Sequence, residues 1–386
     1  MSRRRRVAVI VQSERAYHRK ILRGIGAYMH KDGNWSLYIE DQSLHKLPDL
    51  DNWQGDGIIL AFGVQSFIKR ACSMRLPTVG IEGRSIGDDP TAPIPNFRTD
   101  NAAIGRLGAK YFIERGFTRL AFCGFPALAM KPWCGERAAA FQSCASEHGL
   151  SCAVYTGHGT TVRKWINLQH ELTVWLESLE KPLGLLAAND DRARHVLEAC
   201  RAIGLRVPED VAVLGVDNDE VMCELTDPPL SSIEHGAGSL GYQAAALLDR
   251  LMAGQKARKL QTLVEPEGVV TRHSTDILAI ADREVAAAMT FIHQHRGAPL
   301  LVADVVGAVG VSRSTLQARF KVLGRTIHSE IQRLQVERAR FLITTTDLPI
   351  KQIAAMAGFA HVHYMTTIFH QRTGWTPAEY RKHVKL

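Results

Sequence analysis

Cysteine is scarce in this 386-residue chain and badly placed for cross-linking. The seven residues Cys72, Cys123, Cys134, Cys144, Cys152, Cys200 and Cys223 are odd in number and scattered. None is spaced C-x-x-C, and none lies beyond residue 223. That pattern excludes a disulfide framework and a cysteine zinc site, and it predicts buried, reduced thiols. No apolar run approaches the ~18 residues of a membrane span. The basic opening, MSRRRRVAVIVQSER, is followed only by Val7 to Val11 before polar residues intervene. Such a run is too short for a secretory core, so a cytosolic protein without membrane contact is expected. Low-complexity tracts, solenoid repeats and the G-x-x-x-x-G-K-[ST], G-x-S-x-G and H-E-x-x-H patterns are missing too, which leaves the common nucleotide, hydrolase and metalloprotease signatures unsupported.

What is present is a soluble globular composition, 46% apolar and 22% charged, in a chain longer than one ordinary core. Its charge is unevenly divided. From Arg283 to Leu386 there are 14 Lys and Arg against 6 Asp and Glu, so of the totals of 47 and 39 the preceding part holds 33 of each. All of the net charge of +8 therefore lies in the last quarter, as expected of a nucleic-acid-binding module joined to a neutral domain.

From Val7 to about Val270, short β-branched runs such as VAVIV, GIILAF, LGLLAAN and VAVLGVD alternate with amphipathic stretches such as RKILRGIGAYM and DRARHVLEACRAIG. Continuous apolar strands alternating with helices predict parallel sheets covered on both faces, with ligands beyond the strands' carboxyl ends. The polar residues there, Gln12 to Glu14, Gly63, Asn189, Asp190 and Asp217 to Asp219, are the candidates for a binding site. The alternation stops between Arg272 and Asp282. We therefore divide the chain into an α/β domain over 1–275, a linker over 276–284 and an all-helical domain over 285–386.

The basic quarter states one theme twice. Val302, Val305, Val306 and Val309 form an apolar stripe, Gly310 permits a turn, Ser312 is suited to cap the next helix, and Leu316 and Phe320 anchor that helix inward. Arg313, Ser314, Gln317, Ala318 and Lys321 then face outward. Arginine and glutamine suit bidentate readout of guanine and adenine, and Lys321 suits phosphate. In the second unit Ile350, Ile353, Ala354 and Ala357 form the stripe, Gly358-Phe359 the turn, and Met365 and Phe369 the anchors of a helix starting near His361. Its outward residues are His361, Val362, His363, Thr366, Thr367 and His370, a less basic face. A continuous helix over about His328 to Thr345 is expected between the two units. The plainer alternative is a helical bundle with a solvated charged face. His293, His295, His361 and His363 lack cysteine or carboxylate partners at ligand spacing, so no metal and no cofactor are expected.

PIKQIAAMAGFAHVHYMTTIFHQRTGWTPAEYRK resembles the AraC-type DNA-binding domain in the spacing of Ile350, Ile353, Ala354, Gly358, Phe359, Phe369, Gly374, Thr376, Pro377, Tyr380 and Arg381. The resemblance implies two helix-turn-helix units bridged by a long helix, which present their recognition helices to successive major-groove faces of double-stranded DNA. Thr367 stands where many members carry arginine and His370 where lysine is usual, so the second unit is expected to position more than to read.

NFRTDNAAIGRLGAKYFIERGFTRLAFCG, LLAANDDRA and VAVLGVDND, in that order, resemble the sugar-binding core of LacI-type repressors and periplasmic sugar-binding proteins. The resemblance implies two Rossmann-like α/β lobes with a sugar between them. By position it assigns Arg137, Asn189 and Asp217 to ligand hydroxyls and places Asp100 at a recurrent polar position near the cleft; in such a site Trp133 is suited to an apolar platform for the sugar's C–H face, and Tyr17 or Glu14, after the first strand, to closing it. Turn formation is the alternative for Asn189 and Asp217, and core packing for Trp133. AYHRKILRGIGAYM, DRARHVLEAC, GYQAAALLDRL and VGVSRSTLQARFK bring the combined order of domains close to regulators of pentose catabolism. That implies D-xylose or a related pentose as effector, transcription activation with RNA polymerase as partner, and a homodimer. A competing enzyme reading rests on GAGSLG at Gly236 to Gly241, which satisfies G-x-G-x-x-G, but near the end of the α/β part rather than in its first βαβ unit. A third reading is a DNA-binding or interaction protein that needs no ligand.

Overall fold

The computed structural model describes residues 3–11, 15–41, 53–61, 73–82, 94–125, 132–155, 165–277, 282–295, 297–321 and 326–384. Glu14, Gln12, Gly63 and Cys72 lie outside them. Two compact units emerge. One comprises Met1–Ile104, Val216–Met222 and Ile233–Pro266, the other Gly105–Gly215, Cys223–Ser232 and Glu267–Leu386.

The first unit is built on β1 (Arg5–Val11), β2 (Trp35–Asp41), β3 (Gly57–Ala61), β4 (Thr78–Ile81), β5 (Asn96–Thr99) and β11 (Gln261–Val264), in the order β11-β5-β4-β3-β1-β2. All the pairs with a described register are parallel. Such strands are buried on both faces, which explains why VAVIV is apolar without alternation. Helices α1 (Ala16–Lys31) and α7 (Ala237–Met252) cover one face, through Ile21, Ile25, Leu240, Ala244 and Leu248. They approach so closely that a Cβ on Gly241 would lie 2.1 Å from the carbonyl oxygen of Ile21, and one on Gly24 2.0 Å from that of Gly238. GAGSLG thus contains a helix-packing glycine.

The second unit carries β6 (Arg119–Cys123), β7 (Ser151–Tyr155), β8 (Leu183–Ala187), β9 (Val211–Val216), β10 (Ser231–Glu234) and β12 (Gly268–Val270), ordered β12-β10-β9-β8-β6-β7. Its helices are α2 (Asn101–Glu114), α3 (Pro132–Glu147), α4 (Trp165–Ser178), α5 (Asp190–Ala202) and the short α6 (Glu220–Leu225), the bounds of α2 and α6 each straddling the division between units. Leu172, Leu176, Leu185, Val196 and Val213 lie in its core. The polarity of SSIEH counts against an inner strand, yet β10 lies between β9 and β12. Ser231 and Ser232 are fully buried there because each finds a partner: Ser231 Oγ donates to the carbonyl of Arg272 at 2.9 Å and Ser232 Oγ to Asp190 at 2.6 Å. Short hydroxyl side chains satisfied in this way carry no penalty for burial.

The remainder of the second unit is all helical: α8 (Arg283–Gln294), α9 (Val302–Val309), α10 (Arg313–Phe320), α11 (Ile327–Thr345), α12 (Ile350–Met356), α13 (Val362–Thr373) and α14 (Pro377–Val384). Helix α11 feeds two cores. Ile327, Ile331 and Leu334 pack with Val305, Leu316 and Phe320, whereas Val336, Ala339, Leu342 and Ile343 pack with Ile353, Met365 and Phe369. Among the described residues no helix is long and apolar enough to cross a membrane.

Candidate effector and DNA-binding sites

In the first unit the expected polar residues gather around the start of α1. The Tyr17 hydroxyl is 3.0 Å from Thr99 Oγ1 at the end of β5, and its ring stands edge-on to that of His235 at 4.7 Å. Asp217 and Asn218 follow β9 with φ of 113° and 46°, conformations that side-chain-bearing residues rarely adopt and that cluster at functional sites. Lys20 holds this turn in place: its ammonium donates to both carbonyl oxygens at 2.9 Å and pairs with the Glu234 carboxylate, which also accepts from Asn218 Nδ2 at 3.2 Å. His235, fully buried, lies 3.5 Å from the Asp217 carboxylate, which stays 25% exposed. An accessible carboxylate on a buttressed loop is well suited to accept hydroxyl donors. Asp100 has a further task, since its Oδ1 accepts from the Ala103 amide at 2.8 Å and caps α2.

In the second unit Arg137 lies on α3, almost fully buried, and its Nη1 donates to the carbonyl of Ala188 at 2.6 Å just beyond β8. Its guanidinium stacks 4.6 Å from the centre of the half-buried Trp133 ring, which stands edge-on to Phe125 at 6.3 Å. Asn189 is half-buried beside it and caps α5 by accepting from the Arg192 amide at 3.0 Å. The structure thus brings Trp133, Arg137 and Asn189 together, and gives Asn189 the capping role that turn chemistry alone suggests. Asp190 is buried and accepts from Ser232 and, at 3.5 Å, the Cys223 thiol. Arg192 is buried completely, with the rings of Phe125 and Tyr155 at 5.6 and 5.3 Å. Burial pushes the nearby Cys123 thiol up to about 11 although Arg192 opposes the shift.

Sequence reasoning missed Lys20, Glu234, His235 and Arg192. The first three act on residues remote in sequence, so no local pattern marks them; the only signal for Arg192 is a charge one turn into a helix that follows a buried strand.

In the helical region, Gly310 takes φ of 76°, Ser312 Oγ accepts from the Thr315 amide at 3.1 Å, and Leu316 and Phe320 are fully buried. Arg313, Ser314, Gln317, Ala318 and Lys321 are all exposed on the opposite face, as is Ser312. Arg319 is equally exposed but tied to Asp282 at 3.2 Å and Glu284 at 2.7 Å, which removes it from the free cationic set. In the second unit Gly358 takes φ of 82°, and His361, His363, Thr367 and His370 are exposed. Two residues expected outward are not fully so: Val362 packs against the apolar cluster of this unit, and Thr366 is half-buried. The hydroxyls of Thr366 and Thr367 bond back to the carbonyls of Val362 and His363 at 2.9 and 3.1 Å.

The long motif is mainly structural. Thr376 and Glu379 cap α14 reciprocally, with the Thr376 amide 2.8 Å from Glu379 Oε2; Tyr380 stands edge-on to Phe369, and Arg381 donates to the carbonyl of Leu348 at 2.6 Å.

Comparison with known proteins agrees with this construction. Residues 6–102 match the XylR N-terminal domain, residues 109–275 the periplasmic binding protein-like domain, and residues 305–383 a helix-turn-helix domain. The chain is 34% identical over 382 residues to the xylose operon regulatory protein of Escherichia coli K12, covering 98% of this chain and 97% of that protein. It is 32% identical over 378 residues to the protein of the same name from Haemophilus influenzae, covering 97% and 98%. A solved structure of a xylose-binding transcription activator shares 34% identity with a TM-score of 0.64, covering 99% of this chain and 98% of that one. The chain belongs to the family of xylose operon regulatory proteins, transcription regulators that carry a periplasmic-binding-protein-like sensor ahead of an AraC-type helix-turn-helix domain.

Proposed function

We propose that this regulator senses D-xylose or a closely related pentose and activates the genes of its catabolism. It acts in the cytosol as a homodimer that recruits RNA polymerase, and it catalyses no reaction. Residues 1–275 form the sensor and residues 285–386 the DNA-binding domain. Asp217, held in a strained turn by Lys20, accepts sugar hydroxyls, and Tyr17 and Asp100 line the same side. Arg137 and Asn189 supply donors, and Trp133 offers a ring face to the sugar's C–H groups. On DNA, Arg313 and Gln317 read base edges. Ser312, Ser314, Ala318, Lys321, His361, His363, Thr366 and Thr367 approach the duplex, chiefly its backbone.

The observation that carries this reading is the Asp217-Asn218 turn, where two left-handed residues are stabilised by one buried-side ammonium and leave a carboxylate accessible. Strain kept in this way points to a ligand rather than to folding. The test is the thermal midpoint of the full chain with D-xylose, other pentoses, hexoses and NAD(H). D-xylose or another pentose alone is expected to raise it. A rise with the dinucleotide only would replace the sensor reading by the enzyme one, and no rise with any of them would leave a regulator without a small effector.

A further inference from the structure

We propose that Glu114 and Arg333 form a docking latch that holds the DNA-binding domain on the sensor and conveys effector occupancy to it; the second half rests on the sensing function proposed above. Arg333 lies near the start of α11, and its guanidinium is gripped from its own helix. Nε and Nη2 donate to the two oxygens of Glu330 at 3.1 and 2.9 Å, and Nη1 donates to Glu337 at 3.2 Å. The Glu330 side chain is fully buried, so it needs this counter-charge. The fixed guanidinium then presents Nη1 to Glu114 Oε2 at 2.6 Å, on the last turn of the sensor helix α2.

Glu114 is not needed to neutralise Arg333, because two carboxylates of α11 already do more than that. Its addition places three carboxylates around one guanidinium, so its contact can be released without leaving the buried Glu330 or Arg333 unpaired. The same end of α2 also grips the chain where it leaves the sensor. One turn earlier the Tyr111 hydroxyl lies 2.7 Å from Thr275 Oγ1 and 3.0 Å from Thr271 Oγ1, and the Arg115 guanidinium stacks on the Tyr111 ring at 3.5 Å. Tyr111, Glu114 and Arg115 share one helix face by their spacing. Since α11 supplies residues to both helix-turn-helix cores, a displacement at Arg333 moves both recognition helices together.

The test uses the full chain with Glu114→Gln and Glu114→Lys. Three quantities are measured: D-xylose affinity by calorimetry, affinity for a duplex selected in vitro by the wild type with and without saturating D-xylose, and hydrogen exchange of the amides in α2 and the first half of α11. Both variants are expected to keep wild-type sugar affinity, to exchange faster at α11, and to lose about threefold to tenfold of the ratio between the two DNA affinities. Glu114→Lys is expected to have the larger effect. Unchanged exchange with an unchanged ratio would overturn the latch, as would loss of sugar binding in both variants, which would place Glu114 in the sensor's own packing. Should the wild type itself not bind D-xylose, the sensing reading fails, and the exchange comparison by itself decides the docking.

Discussion

Asp217 and Gln317 illustrate two kinds of functional residue. Asp217 depends on its surroundings: its turn is left-handed, its carbonyl is held by Lys20, and its carboxylate lies near a buried imidazole. Asp217→Ala is expected to abolish the thermal shift with D-xylose while leaving affinity for DNA in the absence of sugar within about twofold, because the carboxylate it removes is assigned to the sugar and not to DNA. Loss of both would mean a folding defect. Gln317 depends on little beyond exposure on a helix whose other face is anchored. Arg313→Ala and Gln317→Ala are expected to relax discrimination at particular bases by about 1–3 kcal/mol each, whereas Lys321→Ala weakens all sequences alike and lowers the salt slope by about one. Competition binding against single-base variants of a selected site, at several salt concentrations, separates these outcomes. Equal losses on every sequence from all three would refute the assignment.

At the level of elements, helix contacts decide what the chain tolerates. The crossing of α1 and α7 puts backbone against backbone at Gly24 and Gly241, so a methyl group must displace main chain rather than a flexible side-chain tip. Gly241→Ala is therefore expected to destabilise the first unit by about 2 kcal/mol or more, the scale of overpacked cores, while Gly238→Ala, whose Cβ meets nothing within 4 Å, costs no packing. Urea unfolding of both variants checks the contrast. A dinucleotide fingerprint would make the opposite demand, for glycines near a phosphate rather than at a helix crossing. Helix α11 has the corresponding role in the DNA-binding domain, where its two halves pack into different cores and set the spacing of the two recognition helices.

For the molecule as a whole, the partition of charge and the burial of titratable groups lead to separate expectations. Desolvation, helped by Arg192 and Arg194, lowers the His195 pKa from its ordinary 6.5 to about 4. The folded chain therefore refuses a proton that the unfolded chain accepts. Stability from this group is complete above pH 6.5, declines as the pH falls from about 6.5 towards 4, and is lost below, by about 3 kcal/mol. Urea midpoints between pH 7 and pH 4 measure the decline, and His195→Gln is expected to flatten it; an identical pH profile in that variant would show that carboxylates carry the effect. Affinity for DNA, by contrast, is expected to follow salt concentration, because the net charge of +8 arises from the last quarter of the chain.

Much of this architecture was legible before any coordinate. Apolar runs such as VAVIV and LGLLAA announce strands buried on both faces because burial imposes composition, and Ser312, Gly310 and Gly358 announce turns because few residues meet those backbone demands. The charge step at Arg283 and the helix-turn-helix spacing are local or additive properties, and so was the family resemblance. Other features depended on the folded state. SSIEH became an inner strand because distant groups satisfied its serines, Val362 packed against the apolar cluster of its unit, and Arg319 was neutralised by two carboxylates 37 and 35 residues away. Lys20 reached the Asp217-Asn218 turn across 197 and 198 residues, and Arg333 reached Glu114 across 219. A linear pattern records which residues a backbone and a core demand. Which polar groups meet is decided only when the fold closes long loops, and the sites that sense and transmit are built from those meetings.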